Sequence, residues 1–173
     1  LNVAHPAGNY CEAVKLYATG RFREARGTIE SILELTDPYS LLPIVYQFKA
    51  EILEADKDMM NCIPYYEKAA QFSDTWLKPK VSLGFALAKN NDGPHAAEYL
   101  RTVLKQNPKH KVAKLGLGLI EFKLFKQVEA ALTTLSAAVN IKGKVPSPLE
   151  SEAYVVLAEI LYQKGDKSKA ISS

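Results

Sequence analysis

The sequence has little of what several specialised protein classes depend on. It contains two cysteines, Cys11 and Cys62, which lie far apart and outside any metal-ligand spacing, so a disulfide scaffold is excluded. No uninterrupted apolar run approaches the ~18 residues that a membrane-spanning helix needs. Neither sign of charge dominates, because the chain has 22 Lys and Arg residues and 19 Asp and Glu residues. A net charge of +3 is too small to argue for nucleic acid by itself.

What remains is the ordinary composition of a globular protein. The chain has 173 residues, of which 47% are hydrophobic and 24% charged, enough for one domain or a short repeat array. The absence of a signal-peptide pattern and of glycosylation sequons predicts an intracellular location, cytoplasmic or nuclear. Since the first residue is Leu1 and not Met, we expect the chain to be a fragment of a longer protein.

Apolar residues recur at helical spacing along almost the whole chain. One stripe contains Phe22, Ala25, Ile29 and Ile32, and no segment alternates long enough to predict a strand. Short segments rich in Gly, Pro, Asn and Asp separate the stripes, as is typical of turns between helices. The sequence therefore predicts an all-α protein with helices of roughly 12 to 17 residues. Pro64 is expected in the first turn of its helix, where its missing N–H costs nothing.

A repeat of fixed length underlies these helices. Ala50, Gly84 and Gly118 follow one another at steps of 34 residues, and large apolar residues recur at matching offsets. Small residues at such positions allow two antiparallel helices to approach closely. In the fourth unit the second helix fits better with a one-residue shift, which places Ala131, Leu135 and Ala138 on its packing face.

This pattern resembles the tetratricopeptide repeat, a 34-residue helix–turn–helix unit. The resemblance covers nearly the whole chain and implies a right-handed superhelical solenoid of antiparallel helix pairs with about four and a half repeats. A single repeat domain over residues 1–173 is expected. Its units are approximately 6–39, 43–76, 77–110, 111–142 and a truncated 148–173.

The sequence offers no chemistry that predicts an enzyme, a cofactor or a metal site. The Gly116-Leu117-Gly118 segment follows no strand and lacks a third glycine, so we interpret it as helix packing and not as a dinucleotide loop. The histidines His5, His95 and His110 share no helix-face spacing with one another or with a cysteine. No Ser or Cys stands in a nucleophile motif.

Some members of the family bind the acidic tails of chaperones through a clamp of Lys, Asn and Arg side chains. In this frame the first-repeat clamp positions hold Tyr10 and Val14, and the second-repeat position holds Phe48. Lys78 matches the third repeat, whereas Ser82 does not. The resemblance therefore argues against a chaperone-tail adaptor.

In the family, the first helix of each repeat lines a concave groove. The exposed positions of that helix, carried over to this chain, imply a groove in which many side chains are apolar or aromatic. In the second unit the same positions hold the polar residues Gln47, Glu51 and Glu54. The predicted partner-binding residues are Tyr10, Val14, Tyr17, Val81, Phe85, Leu115, Leu119, Phe122, Val155 and Tyr162. The alternative is that the one-residue shift makes buried residues look like groove residues, above all in the fourth unit.

Basic residues gather around the third turn, and two interpretations stay open for them. They form either an ordinary solvated edge or a patch for an acidic partner; the residues are Lys78, Arg101, Lys105, Lys109, Lys111 and Lys114. No aromatic residues interleave with this charge, which argues against nucleic acid.

The functional hypothesis is a protein–protein interaction scaffold that binds a peptide or amphipathic helix of a partner in its groove, within a multi-subunit assembly. The alternative is a structural or self-associating segment whose groove is filled by its own chain or by a second copy. No nucleic-acid or membrane partner is expected, and homo-oligomerisation stays open.

Overall fold

The computed structural model describes residues 5–34, 42–143, 145 and 147–165. These residues contain nine α-helices and no β-strand, as the apolar periodicity predicts. The helices are α1 (Pro6–Ala18), α2 (Phe22–Leu33), α3 (Leu42–Ala55), α4 (Met59–Gln71), α5 (Leu77–Lys89), α6 (Gly93–Gln106), α7 (Lys111–Lys123), α8 (Val128–Val139) and α9 (Ser147–Gln163).

The chain divides into two compact units, Leu1–Ala86 (unit 1) and Leu87–Ser173 (unit 2). In unit 1, α1 packs on α2, α3 packs on α4, and α2 also contacts α3. In unit 2, α7 packs on α6 and α8, and α9 packs on both α7 and α8. Consecutive helices thus pair through short turns, as the repeat predicts, whereas the exact repeat boundaries stay a prediction. The connection over 35–41 and the end of the chain from 166 lie outside the described residues.

Each unit buries the apolar stripes that its sequence shows. Burial of a large aliphatic side chain contributes about 1.5–3 kcal/mol, so these stripes supply most of what holds the helix pairs together. The core of unit 1 consists of Ala13, Leu16, Ala25, Ile29, Ile32, Val45, Phe48 and Ile52. The core of unit 2 consists of Leu115, Leu119, Ala131, Leu135, Ala138, Ala153, Val156, Leu157 and Ile160.

The small residues of the 34-residue frame are buried. Ala50 is fully buried, and Gly84 and Gly118 are buried as well. A Cβ atom on Gly118 would lie 2.6 Å from both Cγ and Cδ2 of Leu135. Gly118 is therefore a packing residue at the α7–α8 crossing, in agreement with the interpretation from the sequence.

The turn within a helix pair follows one backbone pattern. A residue in the left-handed conformation ends the first helix, and the next N–H bonds to a carbonyl five residues earlier. In the first pair, Gly20 has φ +75° and the N–H of Arg21 donates to the carbonyl of Leu16 at 2.9 Å. Lys57 (φ 64°) and Asn91 (φ 61°) occupy the same place in the next two turns.

The fourth turn contains one additional residue. Lys126 (φ 58°) follows Asn91 by 35 residues, whereas Asn91 follows Lys57 by 34. The N–H of Gln127 accordingly donates to the carbonyl of Glu121, six residues earlier, at 2.8 Å. This residue shifts α8 by one position, and Ala131, Leu135 and Ala138 are fully buried, which confirms the shift predicted for the fourth unit.

The expectation for Pro64 is wrong. Helix α4 begins at Met59, so Pro64 lies beyond the first turn, where an N–H normally donates to the carbonyl four residues earlier. That carbonyl belongs to Met60, whose side chain is 71% exposed, and Pro64 is exposed too. Because this side of α4 faces solvent, water can replace the missing donor.

Candidate functional site

Helix α1 carries the predicted groove residues Tyr10, Val14 and Tyr17. Val14 is 40% exposed, and the two tyrosines are half-buried. Both tyrosine rings lie 5.4 Å from the ring of Phe48 on α3, centroid to centroid. Packing against this buried ring fixes the orientation of the tyrosines while their other edges stay accessible.

The predicted residues of α5 and α7 are less accessible than expected. Phe85 and Phe122 are half-buried, but Val81 is only 8% exposed. Leu115 is fully buried and Leu119 is 7% exposed. The expectation that Val81, Leu115 and Leu119 are exposed is therefore wrong, and the alternative interpretation from the sequence holds for the fourth unit. The physical reason is that α9 packs on α7 and encloses both leucines in the core of unit 2.

Helix α9 carries the remaining predicted residues on its outward side. Val155 is 66% exposed and Tyr162 is 61% exposed, whereas Val156 and Ile160 lie in the core of unit 2. The buried residues of α9 hold the helix in place and leave Val155 and Tyr162 at the surface. Apolar side chains at such exposure are available to a partner.

The inner side of α3 carries a polar network that the sequence did not predict. The Gln47 side chain is 2% exposed, and its Nε2 donates to Glu51 Oε1 at 2.8 Å and to Ser82 Oγ at 3.1 Å. Lys78 Nζ lies 2.8 Å from the same Glu51 Oε1. We define the Gln47 network as Gln47, Glu51, Lys78 and Ser82. Spacing alone placed Gln47, Glu51 and Lys78 at inner-helix positions, but it gave no signal for their mutual bonds.

The charges of this network also act on the neighbouring tyrosines. Burial raises the pKa of Tyr10, and the negative charge of Glu51 raises it further. Burial also raises the pKa of Tyr17, and Glu51 and Glu54 add to this effect while Lys78 opposes it. The two phenols therefore stay protonated and lie within the field of the α3 carboxylates.

Glu54 connects the network side of α3 to the core. Tyr66 of α4 donates its hydroxyl hydrogen to Glu54 Oε2 at 2.6 Å. Burial of Tyr66, followed by this hydrogen bond, raises the pKa of the phenol strongly. The bond fixes the Glu54 carboxylate on the inner side of α3.

Two of the six residues in the predicted basic patch are engaged in ion pairs. Lys78 is paired with Glu51, and Lys111 Nζ lies 2.6 Å from Glu150 Oε1. Because Lys111 is mostly buried and links α7 to α9, its structural role is clear. Arg101, Lys105 and Lys109 are exposed, and Lys114 is half-buried.

A second cluster missed at the sequence level lies between α3 and α4. The Tyr46 ring lies 6.1 Å from the Tyr65 ring and 6.0 Å from the ring of Phe72, which is 48% exposed. Lys68 lies over both tyrosine rings, and Lys49 lies 4.4 Å above Tyr65 while paired with Glu30. These cation–π contacts stabilise the pair α3–α4.

Among residues 5–34, 42–143, 145 and 147–165, no group of three or more His, Cys, Asp or Glu side chains is placed to hold a metal ion. Over the same ranges, no helix has both the length and the apolar character needed for a bilayer crossing.

Comparisons with known proteins agree with the helix-pair geometry. Residues 82–147 match the family model of the tetratricopeptide repeat. The fold is similar to that of MamA from Desulfovibrio magneticus RS-1, with a TM-score of 0.76 and 18% identity over 96% of this chain and 89% of that one. It is also similar to BtubC from P. vanneervenii, with a TM-score of 0.74 and 20% identity over 92% of this chain and 73% of that one.

A third similar structure is YrrB, described as a tetratricopeptide-repeat protein with an unusual peptide-binding site. Its TM-score is 0.71, with 18% identity over 99% of this chain and 84% of that one. At these identities the likeness shows the fold. The search of curated protein sequences gives no match.

Proposed function

We propose that the chain is a tetratricopeptide-repeat protein, as the match over residues 82–147 supports, and that it is a non-catalytic protein-interaction scaffold that binds a peptide or amphipathic helix of a partner along the first helices of its pairs. Part of its role is then to hold that partner within a larger assembly. YrrB, which has the same fold, is described as having a peptide-binding site, and this supports a peptide or helix as the bound element.

The observation that carries this proposal is where apolar surface is exposed. Of the seven large hydrophobic side chains that are exposed among the described residues, five lie on first helices of pairs. These are Val14 on α1, Ile44 on α3, and Tyr154, Val155 and Tyr162 on α9. Of the second helices, only α4 exposes such a residue, Met60, and Phe72 follows directly after it.

Such a surface binds by preorganisation. Stacked helices hold the anchors in place before the partner arrives, so little conformational entropy is lost on binding. Half-buried aromatic residues such as Phe85 and Phe122 lose few rotamers when a partner covers them. Aromatic anchors in a desolvated groove commonly contribute about 2 kcal/mol or more, which is roughly a thirtyfold change in affinity.

The experiment selects binders from a library of random peptides against the chain and compares their affinities for surface variants. We expect Val14→Asp, Val155→Asp, Phe85→Ala and Phe122→Ala each to weaken binding of at least one selected class. The matched control is Met60→Asp, which places the same charge on an exposed apolar site of a second helix. Circular dichroism melts confirm that each variant is folded.

Two outcomes would contradict the proposal. One is a library that returns no binder, and the other is a set of binders that lose affinity in Met60→Asp and not in the first-helix variants. In the second case the interface lies on the second helices.

A second candidate function, a self-associating or structural segment, is favoured by unit 2. There α9 already covers Leu115 and Leu119, so part of the inner side is filled by the chain itself. Light scattering over a hundredfold range of concentration distinguishes the two candidates. A dimer that dissociates in Val155→Asp would favour self-association, and a monomer at all concentrations would favour a foreign partner.

A further inference from the structure

The buried oxygen of Gln47 is the starting point. Gln47 Nε2 bonds to a carboxylate oxygen of Glu51, and since a carboxylate only accepts hydrogen bonds, the amide nitrogen must be the atom that faces it. The other amide atom, Oε1, is therefore a carbonyl oxygen. It is buried and has no hydrogen-bond partner among the described residues. A buried acceptor without a donor is rare, and it points to a donor that arrives from outside.

The carboxylate beside this oxygen, that of Glu51, is a further acceptor. Both bonds to Glu51 end on Oε1, and over residues 5–34 and 42–143 no donor is found for its Oε2. The phenols of Tyr10 and Tyr17 lie within the field of Glu51. Lys78 is the one cation bonded to Glu51 in the described structure, and its side chain is 60% exposed. The site thus offers unused acceptor atoms on Glu51 and Gln47, and the exposed Lys78 can leave Glu51 without disturbing the core.

We propose that Lys78 is an internal substitute for an arginine side chain of the partner, which displaces Lys78 from Glu51 and donates to both Glu51 and Gln47 Oε1. An ammonium group is a point charge and serves one carboxylate oxygen here, whereas the planar guanidinium carries five N–H donors that can span neighbouring acceptors. Val14 and Ile44, which are 40% and 44% exposed on α1 and α3, provide apolar surface for the residues beside the arginine. This inference rests on the proposed function, because it names the chemistry of the bound segment.

The displacement explains how a partner reaches a buried oxygen. Lys78 lies on α5 and crosses to Glu51 on α3 through a long, exposed side chain. When this side chain swings into solvent, the path to Glu51 and Gln47 opens, while Ser82 continues to hold the Gln47 amide. The same geometry disfavours an acidic ligand, because Glu51 and Gln47 would both repel a carboxylate.

The test uses four labelled peptides, acetyl-Ala-Leu-Xaa-Leu-Ala-amide with arginine, citrulline, lysine or glutamate in the centre, and fluorescence anisotropy. Citrulline keeps the shape of arginine without its charge. We expect the arginine peptide to bind at least tenfold more tightly than the citrulline peptide, and the glutamate peptide to bind most weakly. Glu51→Gln should weaken arginine-peptide binding at least tenfold, and Lys78→Ala should strengthen it several-fold because the internal competitor is gone.

The matched control is the exposed ion pair of Glu12 and Lys15 on α1, whose atoms lie 3.6 Å apart. Glu12→Gln and Lys15→Ala make the same changes in charge without touching the Gln47 network, so each should change the affinity less than twofold. Gln47→Leu should weaken binding, and if it fails to fold, Glu51→Gln and Lys78→Ala carry the test.

Three results would overturn the inference: equal binding of arginine and citrulline peptides, no gain in Lys78→Ala, or equal effects of Glu51→Gln and Glu12→Gln. Failure here, with library binders that still depend on Val14 and Val155, would leave the proposed function intact. Failure of the library selection itself would remove both.

Discussion

Units 1 and 2 use the same helix-pair geometry but build their inner sides differently. In unit 1, α3 presents a polar network of Gln47 and Glu51 with two half-buried tyrosines of α1 beside it. In unit 2, α7 presents Leu115 and Leu119, and α9 covers both. A continuous apolar face is stable only when another element covers it, whereas a polar face loses less by staying in contact with water.

This difference between the units separates residues suited to recognition from residues that stabilise the fold. Unit 1 retains a buried acceptor without a donor among the described residues and an exposed Lys78 paired with Glu51, and the proposed arginine site rests on these two features. In unit 2, α9 covers Leu115 and Leu119, and the exposed apolar residues Val155 and Tyr162 lie on α9 itself. The experiments below test whether this contrast holds, beginning with the change in stability that we expect to be largest.

The close helix crossing of unit 2 can be broken with one methyl group. We expect Gly118→Ala to lower the free energy of unfolding by about 3 kcal/mol, the upper end for an overpacked core, because Leu135 is fully buried and its backbone nitrogen would lie 3.3 Å from the new Cβ. Gly27→Ala in α2 of unit 1 is the control, since nothing lies within 4 Å of its Cβ. There, higher helix propensity should add up to about 1 kcal/mol.

Urea denaturation measures both free energies. Equal effects of the two substitutions would show that unit 2 is no more tightly packed at Gly118 than unit 1 is at Gly27.

Unit 2 also has a polar exception that can be removed. Glu121 is 6% exposed, and its Oε2 is buried without a hydrogen-bond partner among the described residues. The carbonyl of Glu121 accepts the turn hydrogen bond of its helix pair, and in the earlier pairs the residues that do so are Leu16, Leu53 and Leu87. We expect Glu121→Leu to raise the free energy of unfolding by about 1–2 kcal/mol, because it removes an unsatisfied acceptor and adds apolar burial.

The control is Glu98→Leu at an exposed site of α6, which should change stability by less than about 0.5 kcal/mol. A destabilised Glu121→Leu variant in thermal melts would mean that the carboxylate has a favourable role in unit 2, as Gln47 has in unit 1.

The helix-pair turns test what the two units share. Lys57 in unit 1 and Lys126 in unit 2 both have positive φ, which costs an L-residue about 1–2 kcal/mol. Glycine removes this strain but loses about 0.5–1 kcal/mol through its flexible unfolded state, so each Lys→Gly change should stabilise by about 0.5 kcal/mol. Gly20→Ala, where φ is +75°, is the opposite control and should destabilise. Denaturant midpoints that move in only one unit would show that the additional residue has changed the fourth turn.

The smallest effect concerns pH. At the start of α6 in unit 2, His95 Nδ1 donates a hydrogen bond to the Asp92 carboxylate, which raises the pKa of His95 and lowers the pKa of Asp92. The stability from protonated His95 is therefore fully present below its ordinary pKa of about 6.5 and is lost as pH rises through the higher folded value. The stability that the ionised Asp92 contributes is lost only as the pH falls below about 4.

In unit 1, α2 begins with Arg21 paired to Glu24, and the pair lowers the pKa of Glu24. Both groups keep their charges near neutral pH, so this helix start should be insensitive there. NMR titration of His95 measures the effect, with Asp92→Asn as control because Asn preserves the helix cap without the charge. An unchanged His95 titration in that variant would contradict the prediction.

The helices and their repeat were readable from the sequence because each depends on local patterns. Apolar spacing predicted the stripe of α2, of which Ala25, Ile29 and Ile32 are fully buried, and the 34-residue step found the buried small residues Ala50, Gly84 and Gly118. Even the shift in α8 was visible, because Ala131, Leu135 and Ala138 keep the period of the helix that contains them. Its origin in one additional turn residue, next to Lys126, needed backbone dihedral angles.

The candidate site was only partly readable. Spacing identified the inner helices and placed Gln47, Glu51 and Lys78 on them, but it treated Leu115 and Leu119 as exposed although α9 encloses them. Periodicity gives the face of a helix on which a residue lies, but more than one face of α7 is buried because three helices, α6, α8 and α9, pack on it.

By itself, then, the sequence determined the helices, their pairing and the small residues of the repeat, since hydrophobic period and turn chemistry act within one helix–turn–helix unit. The tertiary structure decided which inner residues remain open and which polar atoms meet. Gln47 and Ser82 lie 35 positions apart, and Lys111 and Glu150 lie 39 apart. Whether such groups bond or miss each other depends on side-chain geometry at the scale of a single hydrogen bond, which no sequence pattern specifies.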